Sequence, residues 1–329
     1  MRWQSTKVLI TGAGGFIGSH LAEKLVLSGA EVRALVRYNS RNDRGMIESL
    51  PPEIKRDIEV VPGDLRDSET VKEAARDTEI IFHLAALIAI PYSYLHPAEV
   101  VSTNILGTLN VLNAARDCQP RRIVHTSTSE VYGTARYVPI DEKHPLQGQS
   151  PYSASKIGAD MLAESFYRSY DMPIVTLRPF NTYGPRQSAR AVIPTIITQA
   201  LTSKRIFLGS LHPTRDYTYV DDVVEAFIKV AQSPQLFGEV INIGSNFEIS
   251  IGDIARRVLS LIGKKNRIVT DPQRIRPEKS EVERLWCDNT KAKRLLKWQP
   301  KVDFDEGLNR TIGWISDNID LYKPEVYNV

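Results

Sequence analysis

Along the first 180 residues, short apolar and β-branched runs alternate with longer stretches of helical period. The runs Lys7–Thr11, 31–36, 58–62, 79–84, 121–127 and 173–178 each have a mainly apolar, β-branched centre, as strands covered on both faces do. Between them, residues 18–28, 97–118 and 152–170 carry apolar positions at three- and four-residue intervals. This alternation predicts βαβ units and, with right-handed crossovers, a doubly wound parallel α/β sheet. After Arg178 the pattern changes. Helical periods at Val192–Thr202, 221–232, 251–263 and 305–322 stand between short irregular segments, and 263–284, rich in charge and proline, reads as a long functional loop. The predicted division is a first domain over 1–180, with a returning segment near 215–245, and a smaller α/β substrate lobe over 181–329.

Composition narrows the picture. Lys and Arg number 42 against 39 Asp and Glu, a formal charge of +3, and no dense basic run appears, so nucleic acid is not an expected partner. The most apolar stretch, 80–90, is broken by His83 and closed by Pro91, too short for a membrane span. The beginning of the chain does not read as a secretory signal. Cys118 and Cys287 lack partners at ligand spacing and are read as small core hydrophobes of a protein kept in a reducing compartment. The six histidines show no metal spacing, and His83, at the end of an apolar run, is read as a hydrogen-bonded core histidine. A cytoplasmic protein with no metal is the expectation.

Candidate chemistry begins at Gly12-Ala13-Gly14-Gly15-Phe16-Ile17-Gly18, between the first strand and the first helix. Gly12, Gly15 and Gly18 have the spacing at which one glycine permits a tight turn, the next lets backbone approach a pyrophosphate, and the third lets the helix pack close to the sheet. The helix N-terminus then faces the phosphates. That context predicts a dinucleotide site of the Rossmann type, and Ser19-His20 after Gly18 argues against a nucleotide-hydrolase loop. A site choosing NAD commonly ends its second strand in Asp or Glu; here Val36 is followed by Arg37, with Arg41 and Arg44 beyond. An arginine there can accept a 2′-phosphate, which favours NADP, while a solvated basic loop leaves NAD open. Asp64, after the third strand, is a candidate partner for adenine.

Tyr152-Ser153-Ala154-Ser155-Lys156 is the single Tyr-x-x-x-Lys of the chain. Four residues apart on a helix share a face, and the Lys156 ammonium is expected to lower the Tyr152 phenol toward a usable general base. The fifth strand runs out into Thr126-Ser127-Thr128-Ser129-Glu130, and ligands of such sheets lie beyond the carboxyl ends of strands. Thr128, Ser129 and Glu130 are therefore candidate catalytic residues with Tyr152 and Lys156.

These motifs resemble the extended short-chain dehydrogenases/reductases, and within them the nucleotide-sugar 4,6-dehydratases and their epimerase relatives. The resemblance spans nearly the whole chain. It also rests on Phe82-His83-Leu84-Ala85-Ala86, Asn104-Ile105-Leu106-Gly107-Thr108, Arg178-Pro179-Phe180-Asn181-Thr182-Tyr183-Gly184-Pro185-Arg186, Arg215-Asp216-Tyr217-Thr218-Tyr219-Val220-Asp221-Asp222, Asn242-Ile243-Gly244 and Arg276-Pro277. The chain is most similar to the dehydratases that open legionaminic-type acid pathways on an N-acetylglucosamine nucleotide. The loop 36–44 resembles that of NADP-using GDP-mannose dehydratases.

The resemblance implies that Phe16, Ile17, Leu65, Leu84, Ala85, Ala86 and Asn104 join the glycines around the cofactor, and that Lys156 grips the nicotinamide ribose. Thr128 and Tyr152 would hold the sugar 4-hydroxyl, and Glu130 would remove the proton from carbon 5 as the 6-hydroxyl departs. Ser129 stands where one subgroup has an Asp acid. Asn181, Arg190, Val192, Arg215, Arg276 and Glu281 would hold the nucleoside diphosphate, with Arg186 and Arg284 as further cations of that half. The implied partners are a nucleotide sugar and a second copy of the chain, docked through the helices near 97–118 and 152–170. The same Thr-Ser-Glu occurs in UDP-glucuronate decarboxylases, so decarboxylation, 4-epimerisation and a non-catalytic dinucleotide sensor are the competing readings.

Overall fold

A computed structural model describes residues 3–323. The first half runs β1 (Lys7–Thr11), α1 (Phe16–Leu27), β2 (Glu31–Arg37), α2 (Pro52–Arg56), β3 (Ile58–Gly63), α3 (Ser68–Ala75), β4 (Ile80–His83), α4 (Ile90–Leu95), α5 (Pro97–Val101), α6 (Gly107–Cys118), β5 (Arg122–Thr126), α7 (Pro151–Tyr170) and β6 (Ile174–Pro179). The second half runs β7 (Asn181–Tyr183), α8 (Val192–Thr202), β8 (Arg205–Leu208), β9 (Thr214–Tyr219), α9 (Val220–Gln232), β10 (Val240–Ile243), β11 (Glu248–Ser250), α10 (Ile251–Ile262), β12 (Arg267–Thr270), α11 (Thr290–Leu296) and α12 (Phe304–Asp317).

Seven strands form one parallel sheet in the order β10-β6-β5-β4-β1-β2-β3. The order reverses at β1, flanked by β2 and β4, and that reversal opens a crevice above the carboxyl ends of the strands. Strand residues alternate between two cores. Val8, Ile10, Ile80, Phe82 and Val124 face the side of α1 and α9, while Leu9, Leu35, Ile81, Ile123 and Ile174 face the side of α3, α6 and α7. This is the doubly wound sheet that the apolar runs predict. The first core does not stop at the sheet. It continues through Ile196, Leu208, Ile254 and Leu308, so the smaller lobe grows from the same hydrophobic body.

That lobe contains a three-stranded sheet, β11-β9-β7, and a parallel pair, β12-β8. The return to the large sheet consists of α9 and β10, whereas β9 pairs with β7 and β11. The structure refines several boundaries. The stretch 97–118 is two helices joined by a turn of π-helix over Ser102–Leu106. The helix expected over 305–322 ends at Asp317, followed by a 3₁₀ turn over Ile319–Leu321. The loop 263–284 contains β12 and two short 3₁₀ turns. Strands of three or four residues carry too little alternation to be read from sequence.

Candidate active site

A cavity of about 880 Å³ occupies the crevice and is lined from both lobes. Of the residues singled out for cofactor, reaction and substrate, Asn104 and Lys156 stand behind its wall and Arg41, Arg186 and Arg284 lie off it; the others line it.

At the cofactor end, β1 turns at Gly12, whose φ of +75° favours glycine and whose Cβ would stand 2.8 Å from the Ala85 backbone. A Cβ on Gly18 would lie 2.2 Å from the Gly12 carbonyl, so α1 can approach the strand only as glycine. No side chain caps the N-terminus of α1 and no carboxylate sits in its first turn. Its first N–H groups are therefore free to meet phosphate, and this cradle fits a dinucleotide pyrophosphate. The candidates for the adenosine end already have protein partners. Arg37 lies 3.5 Å from Glu99, Arg44 donates to Glu48 at 2.6 and 2.9 Å, and Asp64 accepts from Arg66 at 2.9 and 2.6 Å. Arg37, Arg44 and Asp64 nevertheless line the cavity.

Asn104 lies in the π-turn. Its Nδ2 donates to the Leu87 carbonyl and to Ser155 Oγ, both at 2.9 Å, and its Oδ1 accepts from Leu87 N at 2.8 Å. It thereby fixes the segment after β4, where Leu84–Ala86 line the cavity. His83 is the satisfied core histidine expected. It is hydrogen-bonded to the Thr11 and Thr108 hydroxyls at 2.8 and 3.0 Å, and burial holds it neutral.

At the reaction centre, Ser150 begins α7 with a reciprocal cap. Its hydroxyl accepts from Ser153 N at 3.1 Å and its N–H donates to Ser153 Oγ at 2.9 Å, with Pro151 in the first turn. This start places Tyr152 against the cavity. The Thr128 hydroxyl stands beside the phenol and accepts from Glu130 N at 3.3 Å, opening the 3₁₀ turn Ser129–Tyr132 that carries Glu130. The expected effect of Lys156 on the phenol is not what the geometry gives. Lys156 Nζ donates to the Thr126 carbonyl at 2.7 Å, and burial, aided by the Glu130 and Asp160 charges, pushes Tyr152 above the ordinary tyrosine range. The Thr128 hydroxyl pulls it partly back. The missing factor is the enclosed low-dielectric site, which spacing along a helix does not reveal.

At the substrate end, Arg215 is buried on β9. Its Nε lies 3.9 Å from Glu130 and its Nη2 3.6 Å from Glu281, while Arg276 approaches the same Glu281 oxygen at 3.5 Å. Asn181 Oδ1, Gln187 Oε1 and Arg276 Nη1 are buried without a hydrogen-bond partner among the described residues. The two amide oxygens have no partner among the described residues and Arg276 Nη1 has only its ion-pair contact with Glu281, an arrangement that fits a polar, charged ligand. Arg190 and Val192, on the loop and at the start of α8, complete the wall. Two of the expected cations are engaged elsewhere: Arg186 with Glu23 of α1, and Arg284 with Glu248. Gln187, one residue past a quoted motif, and Tyr217, inside another, were not singled out from the sequence.

A glycine cradle at the switch point, a Thr–Tyr pair over the end of β5 and a buried lysine define a short-chain dehydrogenase/reductase site. The chain matches the model of the GDP-mannose 4,6-dehydratase family over residues 9–311. It is 34% identical over 313 residues to a UDP-glucose 4-epimerase of Mycolicibacterium smegmatis, covering 93% of this chain and 97% of that protein. It is 30% identical to the dTDP-D-glucose 4,6-dehydratase of Homo sapiens, covering 96% and 92%. The structure of the dTDP-glucose 4,6-dehydratase DesIV from Streptomyces venezuelae, with NAD and TYD bound, superposes with a TM-score of 0.85 at 30% identity, covering 96% and 99%. The chain belongs to the extended short-chain dehydrogenase/reductase family of nucleotide-sugar dehydratases and epimerases.

Proposed function

We propose that the protein is a nucleotide-sugar 4,6-dehydratase that converts an N-acetylglucosamine nucleotide, of GDP or UDP, to its 4-keto-6-deoxy product and water. The observation that carries this reading is the Glu130 carboxylate, 12% exposed, on the wall of the cavity that also holds Thr128 and Tyr152. A 4-epimerase needs no base at carbon 5; a dehydratase does.

Thr128 and Tyr152 hold the 4-hydroxyl, and Tyr152 as phenolate accepts its proton; enclosure alone keeps the phenol protonated, and the positive charge of an oxidised nicotinamide bound beside it would favour the phenolate. The glycine cradle at Gly12, Gly15 and Gly18 would hold a nicotinamide dinucleotide, which when bound would supply the hydride acceptor and donor that the reaction needs. The 4-keto group acidifies carbon 5, Glu130 takes that proton, and the C6–O bond breaks. The Ser129 hydroxyl is a far weaker acid than a carboxyl group, so Glu130 itself returns the proton to the departing hydroxyl, which leaves as water, and a proton from solvent restores carbon 5 when hydride adds to carbon 6. Lys156 orients the nicotinamide ribose from the end of β5. Arg215, Arg276 and Asn181 hold the nucleoside diphosphate, since guanidinium groups suit phosphate oxygens. Arg37 at the end of β2 supports NADP as the cofactor, and the enzyme is placed in the cytoplasm as a homodimer.

A second reading, 4-epimerisation, is favoured by the 34% identity to a UDP-glucose 4-epimerase. One experiment separates them: mass spectrometry of products from GDP- and UDP-N-acetylglucosamine, GDP-mannose, UDP-glucose, dTDP-glucose and UDP-glucuronate without added reductant. Loss of one water establishes the dehydratase and names its substrate. Loss of carbon dioxide from UDP-glucuronate, or an unchanged mass with an inverted stereocentre, overturns it. The mass of the cofactor released on denaturation decides between NADP and NAD.

A further inference from the structure

One helical turn beyond Lys156, α7 carries a second buried charge, Asp160, 3% exposed. Its Oδ1 accepts from His125 Nε2 at 3.0 Å, and its Oδ2 accepts from Ser127 Oγ at 2.6 Å and Arg178 Nη2 at 2.8 Å. Arg178, on β6 and equally buried, also donates from Nε to Ser127 Oγ at 3.1 Å and from Nη1 to the Tyr132 hydroxyl at 2.7 Å. Its guanidinium lies 4.8 Å from the Tyr132 ring centroid. The Tyr132 hydroxyl in turn donates a hydrogen bond to Asn242 Oδ1 at 2.8 Å. Tyr132 closes the 3₁₀ turn that carries Glu130. A single buried ion pair thus lies one turn of α7 from Lys156 and, through the Tyr132 hydroxyl, holds the turn that carries Glu130. A well-packed apolar pair in its place would be as stable or more so, which points to a role in placement and charge.

The surroundings of Lys156 give that role content. Its ammonium is buried and donates to the Thr126 carbonyl, its one hydrogen-bond acceptor among the described residues. The charged and titratable groups acting on it are His83 of β4, His125 of β5 and Asp160 of its own helix; Arg178 of β6 pairs with that Asp160, and Tyr152 precedes Lys156 by one helical turn. Burial keeps both histidine rings neutral. Asp160 is the carboxylate that offsets the desolvation of Lys156, which otherwise favours loss of its proton.

We infer that Asp160 and Arg178 form one positioning unit serving both halves of the active site: Asp160 holds Lys156 charged, and Arg178, through Tyr132, fixes the turn that presents Glu130. The second half of this inference rests on the dehydratase reading; the first does not.

The test uses the full-length enzyme with its bound cofactor. In D160N, the Lys156 signal, followed by NMR of ¹³Cε-labelled lysine and assigned with K156R, titrates about one pH unit lower than in the wild type. The alkaline limb of kcat falls with it, and D160E restores both. A merely structural role lowers kcat at all pH values and leaves the limbs in place. In Y132F, which keeps the ring and loses the hydroxyl, solvent deuterium enters carbon 5 about tenfold more slowly while the alkaline limb stays at its wild-type position. Lys156 titrating alike in D160N and wild type overturns the first half. Equal slowing of oxidation at carbon 4 and exchange at carbon 5 in Y132F overturns the second. If D160N does not fold, Y132F still decides the Arg178 arm. The lysine titration needs no substrate, so failure of the sugar-nucleotide panel removes the dehydratase reading without deciding the Asp160 arm.

Discussion

Two side chains with different environments divide the proposed chemistry. Tyr152 is fully enclosed and its phenol sits above the ordinary range, held with Thr128 at the foot of the cavity. Glu130 lies on a turn one strand-end away, beside Arg215. Replacing Glu130 by Gln keeps the shape and removes the base. Oxidation at carbon 4 is expected to persist, seen as absorbance of reduced cofactor on mixing, while water loss falls by about 10²–10⁴. Dehydration at the wild-type rate would remove Glu130 from this role. Tyr152→Phe is expected to lose absorbance change and product together by a similar factor, because the proton of the 4-hydroxyl then has no acceptor. Wild-type turnover in that variant would revive a non-catalytic sensor.

Between residues and fold, two junctions hold the cavity walls. The π-turn between α5 and α6 brings the Asn104 amide against both polar groups of the Leu87 backbone. Asn104→Ala leaves that N–H and C=O without partners and is expected to cost about 1–3 kcal/mol in urea unfolding, with weaker cofactor binding as Leu84–Ala86 loosen. At the other junction, α1 meets the loop that carries Gln187 and Arg190. His20 Nε2 donates to the Pro185 carbonyl at 3.0 Å, and Arg186 pairs with Glu23. Burial and the Arg186 charge push His20 down to about 4 from its ordinary 6.5. The folded state therefore disfavours the proton that the unfolded chain takes up. Stability from this residue is complete above pH 6.5 and declines as pH falls toward 4, by about 3 kcal/mol in all. His20→Gln retains an N–H donor and does not titrate. The difference in unfolding free energy between wild type and H20Q is expected to shrink over that window; a difference independent of pH refutes it.

For the whole molecule, the continuity of the main core matters most. Side chains of β1 and β4 share one cluster with those of α8, α10 and α12. The two lobes are expected to unfold in one calorimetric transition with equal calorimetric and van't Hoff enthalpies, and cofactor is expected to raise that single Tm. Two separated transitions would show independent lobes. The proposed homodimer also belongs to this scale. Leu95, Val101, Leu106 and Met161 are large apolar side chains left 67%, 43%, 51% and 47% exposed on or beside the helices expected to pair. Leu106→Glu combined with Met161→Glu is expected to halve the mass found by light scattering; an unchanged mass places the interface elsewhere or shows the wild type to be a monomer.

The sequence by itself determined the doubly wound sheet, because strands buried on both faces must be mainly apolar. It also located the glycine cradle, whose turn admits no side chain at Gly12 or Gly18. The Thr128–Glu130 and Tyr152–Lys156 segments were legible because a strand exit and a helix start occupy fixed places in such a sheet. Tertiary structure decided what those groups experience. Helical spacing puts Lys156 on the face of Tyr152, yet enclosure, not Lys156, dominates the phenol. Five arginines looked alike in the second half; packing against Glu23 and Glu248 withdrew Arg186 and Arg284 and left Arg190, Arg215 and Arg276 on the cavity. Asn104, in the π-turn, braces the Leu87 backbone, a contact that only the folded chain brings about. Burial and the pairing of distant charges are properties of the closed fold, and no local pattern of residues encodes them.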